Sequence, residues 1–148
     1  MFSYKDFVEI LPDGAAPFGK RAIPHGGFLR NGTLVMMGGR VDTISFYADV
    51  WWSHDEGATW TLANDNPPWT ARGYHDALIV EDTIVLVGGQ SAITFYNDVW
   101  HSHDGGLTWE CVLSEAPFAP RAGHKMIHYE GELLLFAGSA AELSYWDI

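Results

Sequence analysis

The sequence predicts an all-β fold in which one four-stranded unit recurs about three times. Three observations carry that reading. First, Gly38-Gly39, Gly88-Gly89 and Ala137-Gly138 fall at one recurrent position, and Asp49-Val50-Trp51, Asp98-Val99-Trp100 and Asp147-Ile148 at another, about 49 or 50 residues apart. Such a period marks a propeller or a solenoid, because one unit cannot bury its own face and must stack on neighbours. Second, each block holds short apolar or β-branched runs divided by acidic and glycine-rich punctuation, the pattern of an antiparallel meander. Third, no window carries a capped apolar period of 3.6 residues, so helices should be few.

In chain order, residues 7–11 (Phe-Val-Glu-Ile-Leu) read as a single strand. They precede Pro17-Phe18 and Arg21 much as Trp109 to Leu113 precede Pro117-Phe118 and Arg121. Residues 21–63 read as the first unit, with Asn31-Gly32 as a hairpin turn because both residues tolerate positive φ. Residues 72–113 read as the second unit, from Arg72 and His75 to the run Thr108-Trp109-Glu110-Cys111-Val112. Residues 121–148 read as a third unit that stops at its third strand. The strand at residues 7–11 would then complete another unit from outside.

Bulk properties restrict function. The 148 residues are 47% hydrophobic and 14% aromatic, which excludes intrinsic disorder. The net charge of −11, with only 8 Lys and Arg, argues against nucleic-acid and anionic-lipid partners. A basic, metal-bearing or neutral partner suits this surface better. The lone Cys111 excludes an internal disulfide. No secretory leader pattern and no long apolar run stand out, so the expectation is a cytoplasmic protein with no membrane association.

An Arg and a His near the first strand, a glycine doublet after the second, then Tyr, Asp-Val-Trp and a closing Trp together resemble the kelch-repeat β-propellers. Two further segments, Ser53-His54-Asp55-Glu56-Gly57-Ala58-Thr59-Trp60 and Ser102-His103-Asp104-Gly105-Gly106-Leu107-Thr108-Trp109, resemble the Asp-box of sialidase-type propellers. That motif is a turn between the third and fourth strands. Its structural residues here are Ser53, Asp55, Gly57 and Trp60, then Ser102, Asp104, Gly106 and Trp109. Asp and Ser can accept turn amides while Trp covers the turn. The resemblance implies a kelch-like propeller with about three blades in this chain. Because propellers close with about 4 to 8 blades, the expectation is a six-bladed homodimer with strand exchange through residues 7–11. The alternative is closure by later blades of a longer polypeptide.

The resemblance also places the loops between second and third strands (residues 40–46, 90–95 and 139–144) on one face with the inter-blade segments 63–71 and 114–120. Candidate binding residues there are Arg40, Phe46, Trp69, Gln90, Phe95 and Phe118. Arg21, Arg72 and Arg121 are added because repeated guanidinium forks could hold an anion, although in kelch repeats this Arg is part of the blade signature and more often anchors an adjacent blade. Phe18, Trp69 and Phe118, each three residues before the repeat Arg, could instead wedge between blades. His25, His75 and His124 are read as one recurrent packing position, and Cys111 as ordinary packing. No catalytic constellation, metal site or cofactor motif is found. The expected function is non-catalytic recognition of a protein or peptide through the loop face. The alternative is a carbohydrate-active propeller, either glycan-binding or hydrolytic, and a split or engineered half-propeller without a ligand is a third reading.

Overall fold

The computed structural model describes residues 10–12, 14–140, 143 and 144, the last two for their backbone alone. All its regular structure is antiparallel β, and the described residues include no α-helix. The first sheet runs β1 (His25–Phe28), β2 (Leu34–Met37), β3 (Val50–Ser53) and β4 (Thr61–Asn64) in sequential order. The second repeats it with β5 (Asp76–Val80), β6 (Thr83–Gln90), β7 (Phe95–Ser102) and β8 (Glu110–Leu113). A third unit contains the hairpin β9 (Lys125–Tyr129) with β10 (Glu132–Phe136), and a short ribbon of β11 (Ser139–Ala140) with β12 (Leu143–Ser144).

The strand expected at residues 7–11 lies mostly outside the described residues. Its last two, Ile10 and Leu11, form a bend and join no sheet. The third strand expected at residues 145–148 also lies outside them. At Asn31-Gly32 only Gly32 takes positive φ (85°), and the Leu29 N–H donates to the Thr33 carbonyl around a three-residue loop. The equivalent turn in the second unit is the two-residue Glu81-Asp82, with φ of 50° and 67°.

Alternation along strands gives each unit two faces. Val35, Met37 and Val50 of the first unit meet Ile84 and Leu86 of the second, with Trp69 of the segment that joins them, in one buried cluster. Val85 and Val87 of the second meet Met126 of the third in another, with Leu135 and Phe118 packed alongside. The second unit thus presents a backward face to the first unit and a forward face to the third. The backbone seals both junctions alike. The Gly39 N–H donates to the Arg72 carbonyl (3.1 Å), as Gly89 donates to Arg121 (2.9 Å). In return the Arg72 N–H donates to the Tyr47 carbonyl (3.2 Å), and Arg121 to Tyr96 (3.0 Å).

Strand register corrects the expected histidine repeat. His25 pairs with Met37, as Asp76 pairs with Val87 and Lys125 with Phe136. His25, Asp76 and Lys125 therefore occupy one position, and Pro24, His75 and His124 the one before it. These inner-strand starts are tied together. His25 Nδ1 lies 3.0 Å from Asp76 Oδ1, Lys125 Nζ lies 3.8 Å from the same oxygen, and the Met126 N–H donates to Asp76 Oδ2 (2.6 Å). Burial alone would raise the Asp76 pKa. The bonds from His25 and Met126, with the Lys125 charge, outweigh it and hold the carboxyl below the ordinary value.

His75 and His124 are buried beneath glycine. A Cβ at Gly38 (φ 59°) would lie 2.8 Å from His75 Cε1, and one at Gly88 (φ 55°) 2.9 Å from His124 Cε1. Burial pushes the His124 pKa down to about 4, against an opposing pull from Asp76 and with help from Arg121. Burial, then His25 and Arg72, hold His75 well below the ordinary histidine value. Both fold as neutral rings and must be desolvated in that form. Below pH about 6.5 the unfolded chain binds these protons more readily, so stability falls as the pH falls. Between pH 6.5 and 4, His124 alone should remove about 3 kcal/mol, and His75 adds to the loss. Thermal melts at pH 7, 5.5 and 4.5 should show the decline, and His124→Leu should flatten it.

Candidate functional site

In a meander the second-to-third loop emerges at the same end as the start of the first strand. Residues 40–46 and 90–95 therefore share one end with the segments leading into β1 and β5, and Ser139–Ala140, which follow β10, lie at the same end of the third unit as the start of β9. Bridges fix these loops: Ala22 pairs with Arg40, Gly73 with Gln90 and Ala122 with Ser139. Arg40 also pairs with Phe46, and Gln90 with Phe95. The turns at 53–60 and 102–109 lie at the opposite end.

The first loop is rigid by its own chemistry. Asp42 Oδ1 accepts the N–H groups of Ile44 and Ser45 (both 2.8 Å), and Ser45 Oγ donates to Asp42 Oδ2 (3.1 Å). The backbone bonds from Ile44 and Ser45 lower the Asp42 pKa. Arg40 donates to the Tyr74 hydroxyl of the next unit (2.5 Å), and the half-buried Phe46 ring covers Gly73. In the second loop, the Ser91 N–H donates to the Thr94 carbonyl (2.9 Å) and the Tyr96 hydroxyl to Ser91 Oγ (3.1 Å). These frames project Ile44, 72% exposed, and Ile93, 91% exposed, into solvent. Reasoning from sequence named the frame residues Arg40, Phe46, Gln90 and Phe95 but missed the tips. The available signal was an isolated isoleucine in each polar loop.

Four other candidates leave the surface. The Arg21 side chain is 2% exposed, and Arg72 and Arg121 are 1% exposed. Arg72 NH1 and NH2 grip Asp98 (2.5 and 2.9 Å), NH1 also donates to the Gly88 carbonyl (3.0 Å), and the Tyr96 ring lies 4.0 Å from the guanidinium. Arg21 grips Asp49 (2.6 and 2.8 Å) beneath Tyr47 in the same way. The Trp51 and Trp100 indoles complete each carboxylate's shell (2.8 Å). Spacing of two places Tyr, Asp and Trp on one side of the strand, which accounts for the recurrent motif. Arg121 donates to the Ala119 (3.2 Å) and Ala137 (3.0 Å) carbonyls. These guanidiniums are framework groups, since buried charge must be paired. Trp69 is the fourth: it is 1% exposed and packs edge-on against Trp109, with centroids 5.7 Å apart. Phe118 is half-buried on the Val85, Val87 and Met126 cluster, and Phe18 meets Trp60 of the first unit edge-on at 5.3 Å. Trp69 and Phe118 are wedges between units. Cys111, expected to pack, is exposed on β8.

The two Ser-x-Asp-x-Gly-x-Thr-Trp turns, 53–60 and 102–109, show one local network. Ser53 Oγ accepts the Gly57 N–H (2.7 Å) and donates to Asp55 (2.9 Å), Asp55 accepts the N–H and hydroxyl of Thr59, and the Trp60 indole donates to the Gly57 carbonyl (2.9 Å). Ser102, Asp104, Gly106, Thr108 and Trp109 repeat it. Burial would raise the Asp104 pKa, but the Thr108 and Ser102 bonds outweigh it and lower it. A cavity of about 280 Å³ at this end is lined by Leu29, Trp52, His54, Asp82 and His103, among others. The Nδ1 atoms of His54 and His103 are tied to Thr33 (3.1 Å) and Thr83 (3.0 Å).

Among the described residues, no group of three or more His, Cys, Asp and Glu is placed to hold a metal, and no helix is long and apolar enough to cross a membrane. Comparison with protein-family models gives no match, and comparison with curated proteins gives none either.

Proposed function

We propose that this chain is part of a kelch-like β-propeller that recognises a protein or peptide through its loop end, without catalysis. The observation that supports this reading most is the pair of solvent-exposed isoleucines, Ile44 and Ile93, at equivalent loops braced by internal hydrogen bonds. A braced apolar tip loses little entropy on docking, which suits an interface anchor. Arg40, Gln90 and the half-buried Phe46 and Phe95 supply hydrogen-bonding groups and shape around those anchors. A net charge of −11 favours a basic partner segment.

Panning a random-peptide library on the protein tests the reading. Basic-apolar peptides should be enriched, and the double variant Ile44→Asp/Ile93→Asp should weaken them about tenfold or more while leaving thermal stability unchanged. Equal binding by the variant would refute the site. The carbohydrate reading draws support from the Trp52, His54 and Asp82 cavity. A glycan array with selective binding, and no enriched peptide, would put it in first place.

A further inference from the structure

Each junction inside this chain joins a forward face to a backward face, and among the described residues one face of each kind is left open. On the third unit the forward face carries Ile127 (48% exposed) and Tyr129 (60% exposed), the strand positions of Leu78 and Val80. On the first unit the backward face carries Phe28 (57% exposed), the strand position of Ile79. The backbone groups that seal the junctions are open at the same places. The Gly138 N–H meets no acceptor, and the Arg21 carbonyl no donor, among the described residues.

The side chains at this position show which unit belongs beside the third. At both internal junctions a glycine of positive φ accepts a histidine ring: Gly38 meets His75 and Gly88 meets His124. The third unit alone has alanine there, Ala137 at φ 61°, whose methyl would press on such a ring. The first unit alone lacks the histidine and has Pro24 in its place. The two departures from the repeat answer each other.

We infer that the forward face of the third unit docks on the backward face of the first unit in a second copy of this chain, with Gly138 bonded to the partner's Arg21 carbonyl and Ala137 set against the partner's Pro24. The contact is head-to-tail, and two copies make it twice, closing a ring of six units about a two-fold axis. The pairing stands apart from the recognition reading, since the loops lie on the end of the units and not on these faces.

The solution mass of the 148-residue chain should be about 33 kDa, twice the 16.4 kDa of one chain. A species at 16.4 kDa, at three chains, or without defined size would overturn the inference. Phe28→Asp and Ile127→Asp should each run as one chain with an unchanged far-ultraviolet spectrum, because both side chains are exposed in the single chain. Mixed together they should regain the two-chain mass, because one intact forward face then meets one intact backward face. A mixture that stays monomeric refutes head-to-tail docking. Pro24→His should raise the dimer dissociation constant about tenfold or more, and adding Ala137→Gly should restore it; no change with Pro24→His sinks the matched contact.

Discussion

Asp98→Ala should destabilise the protein by about 3–5 kcal/mol, the usual cost of leaving one member of a buried ion pair without its partner. Arg72 would keep its bonds to the Gly88 and Thr70 carbonyls, but its charge would lie in a site 1% exposed with no counterion. The Trp100 indole N–H would lose its acceptor in the same step. For a chain of this length, that cost corresponds to a fall in Tm of about 6–20 °C. Chemical denaturation measures it directly. Because the loss arises from an orphaned charge, Arg72→Met combined with Asp98→Ala should cost less than the sum of the two single substitutions. A strictly additive result would show that the pair is not coupled, against the geometry of two hydrogen bonds at 2.5 and 2.9 Å.

Trp69→Ala should cost a similar 3–5 kcal/mol for a different reason. The indole fills the junction of the first two units, among Val35, Met37, Val50, Ile84 and Leu86, and its removal leaves a void that rigid strands cannot close. The Trp69 N–H is buried and has no hydrogen-bond partner among the described residues. Trp69→Phe therefore keeps most of the apolar contact and removes an unsatisfied donor, and should cost less than about 1.5 kcal/mol. A phenylalanine as damaging as alanine would mean that the indole makes a specific contact beyond packing.

How far the sequence reached depended on the range of the interaction. The bonded turn at 53–60 was legible because Ser53, Asp55, Gly57, Thr59 and Trp60 bond across at most four residues, so residue type and spacing contain the whole argument. The order of strands in the first two units was legible for the same reason, from short runs and the turns between them. The offset of His25 was not. Matching residue types aligned it with His75, whereas pairing with Met37 aligns it with Asp76. Arg21, Arg72 and Arg121 looked like possible ligand grips because their partners stand 16 to 28 residues away, and only the folded sheet brings a carboxylate or carbonyl to them. The loop site divides similarly. Arg40 and Gln90 could be named from the repeat, but the exposure of Ile44 and Ile93 depends on a frame assembled by neighbouring strands.

The sequence by itself determined the repeated four-stranded unit, its antiparallel order where two units are complete, and the turn chemistry, because these follow from alternation and from bonds between near neighbours. Tertiary structure decided which side of each unit looks forward, which charges are paired and buried, and which apolar side chains remain in water. Those properties belong to the contact between units, where residues about 50 positions apart meet, as Met126 meets Asp76.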